Sequence, residues 1–238
     1  MSFDTEFTKE NFDSYLKELG KEYQKLGGKG VHCEIVLVGG ASILANYGFR
    51  AMTNDMDAIT AAPSILKDAI NIVGDRFGLK NGWLNDDFKR TTSYSSALRE
   101  VSKYYKTFSR VLEVRTVDAE YLVAMKLKSG RQYKNDLSDI VGIIAAHRVE
   151  GNPLTMEKID KAVCRLYGSW ADIQPWLTKS LAYALEHDND PSLYENYRQR
   201  EAHAKDALLS FEKQYPNTLT EANIDAVLAK LQKKELER

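Results

Sequence analysis

The feature that most constrains this fold is a short apolar run that ends at two consecutive glycines. Residues 34–38 (EIVLV) are apolar and rich in β-branched side chains, which predicts a buried strand. Gly39 and Gly40 then break the strand, and residues 41–48 (ASILANYG) continue with a helical pattern. A second strand is predicted at 56–60 (MDAIT). Strands and helices in this order indicate an α/β (α+β) fold.

The rest of the chain adds mainly helices. Helices are predicted at 6–26, 64–78, 118–130 and 135–149, a third strand at 109–117, a turn at 61–63, and one helical piece near 96–104 in an otherwise irregular segment. After residue 151 only helical periodicity is found. The expected organisation is a domain at 1–150, with a small mixed sheet flanked by helices, and a helical C-terminal region at 151–238.

Composition excludes several classes of protein. The formal net charge of −1 over 238 residues argues against a generally basic nucleic-acid binder. The two cysteines are far apart in sequence, and the four histidines form no zinc-binding motif. The first residues lack the basic start and apolar core of a signal peptide, and no apolar run reaches the ~20 residues of a membrane span. We therefore expect a cytoplasmic protein with no membrane partner.

Two carboxylates one residue apart suggest a metal site. In an extended strand Asp55 and Asp57 point to the same face, roughly 6.5–7 Å apart at the backbone, while Met56 points to the core. Carboxylates placed in this way can bind Mg²⁺ (or Mn²⁺), which fills its remaining positions with water and substrate phosphate.

The glycines suggest a phosphate site beside these carboxylates. Gly39 and Gly40 let the backbone approach a ligand closely, and the next helix directs its free N–H groups to the same place. Ser42 can add a hydroxyl group. A metal-bound triphosphate is the ligand that uses both halves of such a site.

These residues also match a known family. Residues 38–60 (VGGASILANYGFRAMTNDMDAIT) resemble the signature of the nucleotidyltransferase (polymerase-β-like) superfamily: an apolar strand, Gly-Gly or Gly-Ser, a short helix and Asp-x-Asp. The closer likeness is to the minimal, abortive-infection-toxin-like prokaryotic branch. That branch is matched at Arg50, Thr53, Asp55 and Asp57, and again in the downstream segment 124–140 (AMKLKSGRQYKNDLSDI). The resemblance covers about residues 34–145 and implies a nucleotidyltransferase fold.

The resemblance also implies roles for individual residues. It places Asp55 and Asp57 on two metal ions and requires a third carboxylate, for which Glu113 in "LEV" is the candidate and Asp118 the reserve; a site with two carboxylates stays open. The nucleotide-binding candidates are Gly39, Gly40, Ser42, Arg50, Thr53, Lys126, Arg131, Asp136 and Asp139. The implied reaction is attack by an acceptor hydroxyl on the α-phosphorus of a nucleoside triphosphate, with release of pyrophosphate.

Each of these patterns also has an ordinary interpretation. Two glycines can be a tight turn, Lys126 and Arg131 can be solvent-facing helix residues, and Asp136 can be a helix cap. Residues 80–134 hold twelve Lys and Arg against six Asp and Glu, interleaved with aromatic residues. This segment predicts either an RNA-binding surface or a solvated face with aromatic anchors in the core.

The function expected from the sequence is nucleotide transfer from a nucleoside triphosphate to an RNA or protein hydroxyl. A tRNA or protein acceptor and an antitoxin partner fit this expectation, because the branch includes toxins of toxin–antitoxin and phage-defence systems. Two alternatives stay open: a catalytically silent protein that binds nucleotide or a partner for regulation, and an antibiotic-modifying nucleotidyltransferase.

Overall fold

The computed structural model describes residues 6–60 and 64–236, with the backbone alone for 235–236. The chain forms two compact units, one of residues 1–125 with 155–170 and one of residues 126–154 with 171–238. These units do not coincide with the division that the change of composition at residue 151 suggests. The turn expected at 61–63 lies outside the described residues. Within the described ranges, no helix is long and apolar enough to cross a membrane.

The chain is rich in β-strands up to Val117 and helical from Ala119 onwards. In chain order the elements are β1 (Phe7–Thr8), α1 (Lys9–Tyr23), a π-helical turn (Gln24–Gly28), β2 (Cys33–Leu37), α2 (Gly39–Asn46), β3 (Met52–Thr53), β4 (Met56–Thr60), α3 (Ser64–Phe77), β5 (Leu84–Asn85), 3₁₀ turns (Asp87–Arg90 and Ser96–Arg99), β6 (Ser102–Phe108), β7 (Leu112–Val117), α4 (Ala119–Ser129), α5 (Asp136–Val149), α6 (Met156–Tyr167), α7 (Pro175–Glu186), α8 (Leu193–Gln214) and α9 (Ile224–Leu236).

A mixed five-stranded sheet organises the first unit. Its strand order is β5-β4-β2-β7-β6. The pairs β2–β7 and β4–β5 are parallel, whereas β2–β4 and β6–β7 are antiparallel. One face of the sheet packs with apolar side chains of α1, α2 and α3 into a single core, which is anchored by Phe12, Leu16, Ile35, Leu37 and Trp83. The predicted small mixed sheet flanked by helices is confirmed.

The sequence prediction was wrong for the edge strand β6. Instead of a helical piece at 96–104, a 3₁₀ turn at Ser96–Arg99 leads into β6, which pairs with β7. The hairpin turn at Ser109 and Arg110 has positive φ angles of 50° and 60°, so β7 starts at Leu112 and not at 109. A β-bulge interrupts β6 between Tyr104 and Lys106, and bulges disturb the alternation by which strands are recognised.

The second unit is built around α5. This helix packs against α7 and α8, and α8 packs against α9. Glu201 of α8 is buried at the start of α5, where its carboxylate accepts hydrogen bonds from Leu137 N (2.7 Å), Ser138 N (3.3 Å) and Ser138 Oγ (2.5 Å). Burial raises the pKa of Glu201 from 4.5 to about 7, and these hydrogen bonds only partly oppose the rise. A side chain from another helix thus satisfies the first N–H groups of α5.

The raised pKa of Glu201 predicts a pH-dependent stability. A carboxyl group with a folded-state pKa above its unfolded-state value favours the folded state most below pH ~4.5 and loses that contribution as the pH rises towards 7. We expect Glu201→Gln to raise the free energy of unfolding by about 1–3 kcal/mol at pH 8 and by much less at pH 5. Urea unfolding at both pH values measures the difference.

Glu195→Gln is the matched control for this measurement, because Glu195 lies exposed on the same helix and accepts a hydrogen bond from Gln199. Its effect should be small and equal at the two pH values. A Glu201→Gln effect that does not change between pH 5 and pH 8 would contradict the role assigned to this carboxyl group.

Candidate functional site

The pairing of β2 with β4 determines where Asp57 lies. The two strands are antiparallel with Leu37 opposite Ala58, and Val38 N donates a hydrogen bond to Asp57 O (2.9 Å). Asp57 is therefore level with Val38, which lies between the end of β2 and the start of α2. Met56 is fully buried in the core, as the alternation of the strand predicts, so Asp57 points to the opposite face.

The two glycines bring three side chains against the start of α2. Gly39 has a φ of +53°, and a Cβ placed on it would lie 3.8 Å from Asp57 Oδ2. A Cβ on Gly40 would lie 2.7 Å from Thr53 Oγ1 and 2.9 Å from Arg50 Nη2. The close approach thus requires glycine at residue 40. We call Gly39, Gly40, Arg50, Thr53 and Asp57 the glycine corner.

Local contacts hold the polar side chains of the glycine corner in place. Thr53 is buried in β3, opposite Phe7 of β1, and its hydroxyl donates to Asp55 O (3.2 Å). Arg50 Nε donates to Met52 O (3.1 Å). The guanidinium group, together with the first N–H groups of α2 and the positive end of its dipole, forms a site that favours anions.

Asp55 lies just before β4 and forms an ion pair with Lys80. Both side chains are partly exposed, at 48% for Asp55 and 40% for Lys80. No sequence pattern indicates this contact, because Lys80 is 25 positions away in an irregular segment. The turn between α3 and β5 brings Lys80 to the site.

Two further residues lie at the same edge of the sheet, and of these Asn85 was not singled out as a ligand from the sequence. Asn85 of β5 lies opposite Asp57 in the parallel register of β4 and β5. Asp118, the reserve carboxylate, directly follows β7 and pairs with Lys103 at 3.2 Å. The strand pairing that sets the level of Asn85 depends on β5, which is only two residues long and carries no strand pattern in the sequence.

Ser42 and Glu113 have contacts away from the glycine corner. Ser42 is fully buried, and its hydroxyl oxygen accepts a hydrogen bond from Val117 N (3.0 Å). Glu113 lies opposite Glu34 and contacts Arg115 at 3.0 Å and His32 at 3.2 Å. Glu34 and Val38 are four residues apart, about 13 Å along a strand. Glu113 therefore shares the face of Asp57 but lies towards the other end of the sheet.

The downstream candidates are brought together in the second unit. Lys126 Nζ lies 2.9 Å from Asp136 Oδ1 and 2.7 Å from Asp139 Oδ2. Arg131 donates to Asp136 through its backbone N (3.1 Å), Nε (2.9 Å) and Nη2 (3.1 Å). The interpretation of Lys126 as a solvent-facing residue is wrong, since its side chain is 10% exposed.

Electrostatics keep Asp136 ionised inside this cluster. Burial raises its pKa, but the attraction of Lys126 and the hydrogen bonds from Arg131 outweigh burial and lower the pKa from 3.8 to about 2. Asp136 is the first residue of α5 and follows Asn135 at the cap position. It acts less as a cap than as the common partner of two cations.

The donor atoms of Asp55 and Asp57 fit Mg²⁺ or Mn²⁺. Both are carboxylates, and Mg²⁺ is commonly bound by one or two carboxylates together with water and substrate phosphates. In the part of the chain that the structure describes, no three His, Cys, Asp or Glu side chains are grouped closely enough to hold a metal ion. Two carboxylates suit an ion that is held jointly by protein and phosphate.

Comparison with known proteins identifies a family. Residues 14–166 match the model of a family described as a nucleotidyltransferase of unknown function (DUF6036). No curated protein and no solved structure matches the chain. The matched range contains the glycine corner and the cluster of Lys126, Arg131, Asp136 and Asp139.

The close contacts of Gly40 predict the effect of adding one methyl group. Gly40→Ala should lower the free energy of unfolding by about 1–2 kcal/mol, because its Cβ must displace Thr53, which is held in β3. Gly48→Ala is the matched control, since no atom lies within 4 Å of the added Cβ, and it should stay within about 0.5 kcal/mol of the wild type. Equal stability of the two variants in urea would argue against the close packing of the glycine corner.

The buried cluster of the second unit predicts a large effect for Asp136→Asn. Loss of this carboxylate leaves two cations without their common partner and should cost about 3 kcal/mol or more. The lowered pKa further predicts that the contribution of Asp136 is complete above pH ~4 and is lost as the pH falls towards 2. Urea unfolding at pH 7, and acid unfolding followed by circular dichroism, measure the two effects.

Asp172→Asn is the control for the cluster, because Asp172 pairs with Lys128 at 2.8 Å but is 79% exposed. It should change stability only slightly, because exposed ion pairs contribute little. The cluster has no special role in stability if both variants lose the same amount.

Proposed function

Because this chain belongs to the family of nucleotidyltransferases of unknown function, we propose that it transfers a nucleotide from a nucleoside triphosphate to a hydroxyl group of an RNA or protein, with Mg²⁺ or Mn²⁺ as cofactor. The observation that carries the proposal is the glycine corner. In it the start of α2, the guanidinium group of Arg50 and the carboxylate of Asp57 lie together, and a helix start favours anions.

In this proposal the glycine corner binds the phosphates. The N–H groups at the start of α2 donate to phosphate oxygens, since the first N–H groups of a helix have no acceptor within the helix. The guanidinium group of Arg50, whose Nη2 lies close to Gly40, adds positive charge beside the same anion. Gly40 keeps the backbone accessible, and the buried Ser42 hydroxyl fixes α2 to β7 through Val117 N.

Asp55 and Asp57 would hold the divalent ion, which lowers the pKa of the acceptor hydroxyl and stabilises the charge on the leaving phosphates. The acceptor oxygen forms a bond to the α-phosphorus, and the bond from that phosphorus to the oxygen bridging to the β-phosphate breaks. Pyrophosphate leaves, and the hydroxyl proton passes to water. Positioning and charge stabilisation dominate such reactions.

Lys126 and Arg131, the two cations to which the resemblance assigns triphosphate binding, belong to the second unit. Asp136 and Asp139 then act on those cations by holding them in place. A toxin function with an antitoxin partner is the biological role that the resemblance suggests, and growth arrest that requires Asp57 would support it.

A second candidate function is nucleotide or partner binding without transfer. Two observations favour it: Asp55 is paired with Lys80, and Glu113 lies towards the other end of the sheet from Asp57. A protein of this kind would bind a nucleotide at the glycine corner and pass it to no acceptor.

A transfer assay distinguishes these functions. The protein is incubated with each α-labelled nucleoside triphosphate, Mg²⁺ or Mn²⁺, and in separate reactions bulk tRNA, a protein extract or aminoglycosides. We expect label on tRNA or protein and a loss of about 100-fold or more for Asp57→Asn, because removing a metal ligand removes several kcal/mol of transition-state stabilisation.

Asp87→Asn is the matched control, because Asp87 is an exposed carboxylate two residues after Asn85 and contacts Arg90 at 3.5 Å. It should retain full transfer. Nucleotide binding that depends on Asp57 without label on any acceptor would support the binding function, and label on aminoglycosides alone would support the antibiotic-modifying alternative. Transfer that is unchanged in Asp57→Asn would overturn the proposed site.

A further inference from the structure

Lys80 is a charged residue at the candidate site that has no role in the proposed reaction. Its ammonium group pairs with Asp55, one of the two carboxylates expected to hold a metal ion. A lysine and a divalent cation compete for the same oxygens, since both are attracted by the same negative charge. The ion pair therefore bears directly on how a metal can enter.

The backbone around Lys80 is anchored to the core. Trp83 is buried, its Nε1 donates to Ile70 O (2.9 Å), and its own N donates to Lys80 O (3.0 Å). Met56 N in turn donates to Trp83 O (2.9 Å), which ties this turn to the strand that follows Asp55. The main chain at Lys80 is thus fixed relative to Asp55, while the long side chain can change its direction.

The charges around Lys80 also determine which anion its ammonium group can pair with. Two carboxylates one residue apart repel each other, and a nearby ammonium group relieves that repulsion. When a divalent ion takes this role, the ammonium group has to find another anion within reach. The phosphates proposed to bind at the glycine corner are such an anion.

We infer that Lys80 takes the place of the divalent ion at Asp55 while no nucleotide is bound, and that it moves to a phosphate oxygen when the metal-bound triphosphate enters. The inference rests on the proposed function. Lys80 is in this sense a positioning residue that makes metal and nucleotide bind together: metal alone must displace the lysine, whereas the metal–nucleotide complex supplies a new partner for it.

The inference is tested by two binding measurements on the full chain. Mn²⁺ binding without nucleotide is measured by electron paramagnetic resonance, and binding of a non-hydrolysable triphosphate in saturating Mn²⁺ is measured by calorimetry. For Lys80→Gln we expect Mn²⁺ alone to bind about three- to fivefold tighter, because a partly exposed ion pair no longer competes. We expect the triphosphate to bind about tenfold weaker, because a charge-assisted hydrogen bond is lost.

Two variants serve as controls. Lys106→Gln removes a comparable lysine, which pairs with Asp13 at 2.7 Å on the edge strand β6, and should change neither affinity. Lys80→Arg keeps the charge and should stay close to the wild type in Mn²⁺ binding.

The possible results separate the inference from the proposed function. Opposite changes in the two affinities for Lys80→Gln support the inference. A Mn²⁺ site that disappears in Asp57→Asn but is unchanged in Lys80→Gln overturns the inference and leaves the proposed function standing. Both are overturned if Mn²⁺ binding, measured with and without the triphosphate, does not depend on Asp57 in the wild type or in Lys80→Gln.

Discussion

The hydrogen bond from Val38 N to Asp57 O is the contact on which the candidate site depends. It belongs to the antiparallel pairing of β2 and β4, and it sets the carboxylate of Asp57 level with the first residue of α2. A shift of this register by one residue would turn Asp57 into the core and expose Met56. The apolar packing of Met56 and Ala58 therefore fixes the position of the Asp57 side chain on the opposite face.

Ion pairs with distant segments reduce the positive charge of the basic region at 80–134. Its cations include Lys106, whose partner is Asp13, and Arg99, whose partner is Glu34. The excess of positive charge in this stretch of sequence is thus partly balanced by acids from outside it. The bulge in β6 contributes to this balance, since Tyr105 and Lys106 both reach Asp13. A sequence window alone overstates the positive field that an RNA would meet.

Local patterns predicted the elements whose burial is regular, and failed where position depends on distant pairing. The strand at 56–60 is confirmed. The helix predicted at 118–130 is one residue shorter at each end, and the helix predicted at 135–149 starts one residue later. Glu113 is an example of a residue whose position depends on distant pairing. The alternation of side chains along its strand predicts the correct face of the sheet. Only the pairing with Glu34 shows that Glu113 lies about four residues away from the level of Asp57. The contact between Lys80 and Asp55 depends on a turn with no sequence pattern of its own.

The arrangement of charge at the glycine corner itself restricts the class of ligand. A free phosphate would be attracted by Arg50 and the start of α2 but repelled by Asp57, whose carboxylate lies beside Gly39. A free metal ion would be attracted by Asp57 and Asp55 but opposed by Lys80. A ligand that carries a divalent cation and several phosphates satisfies both sets of groups at once, because each of its parts neutralises one of them. For the proposed metal site, two carboxylates are enough on the protein side, since phosphate oxygens supply further ligands.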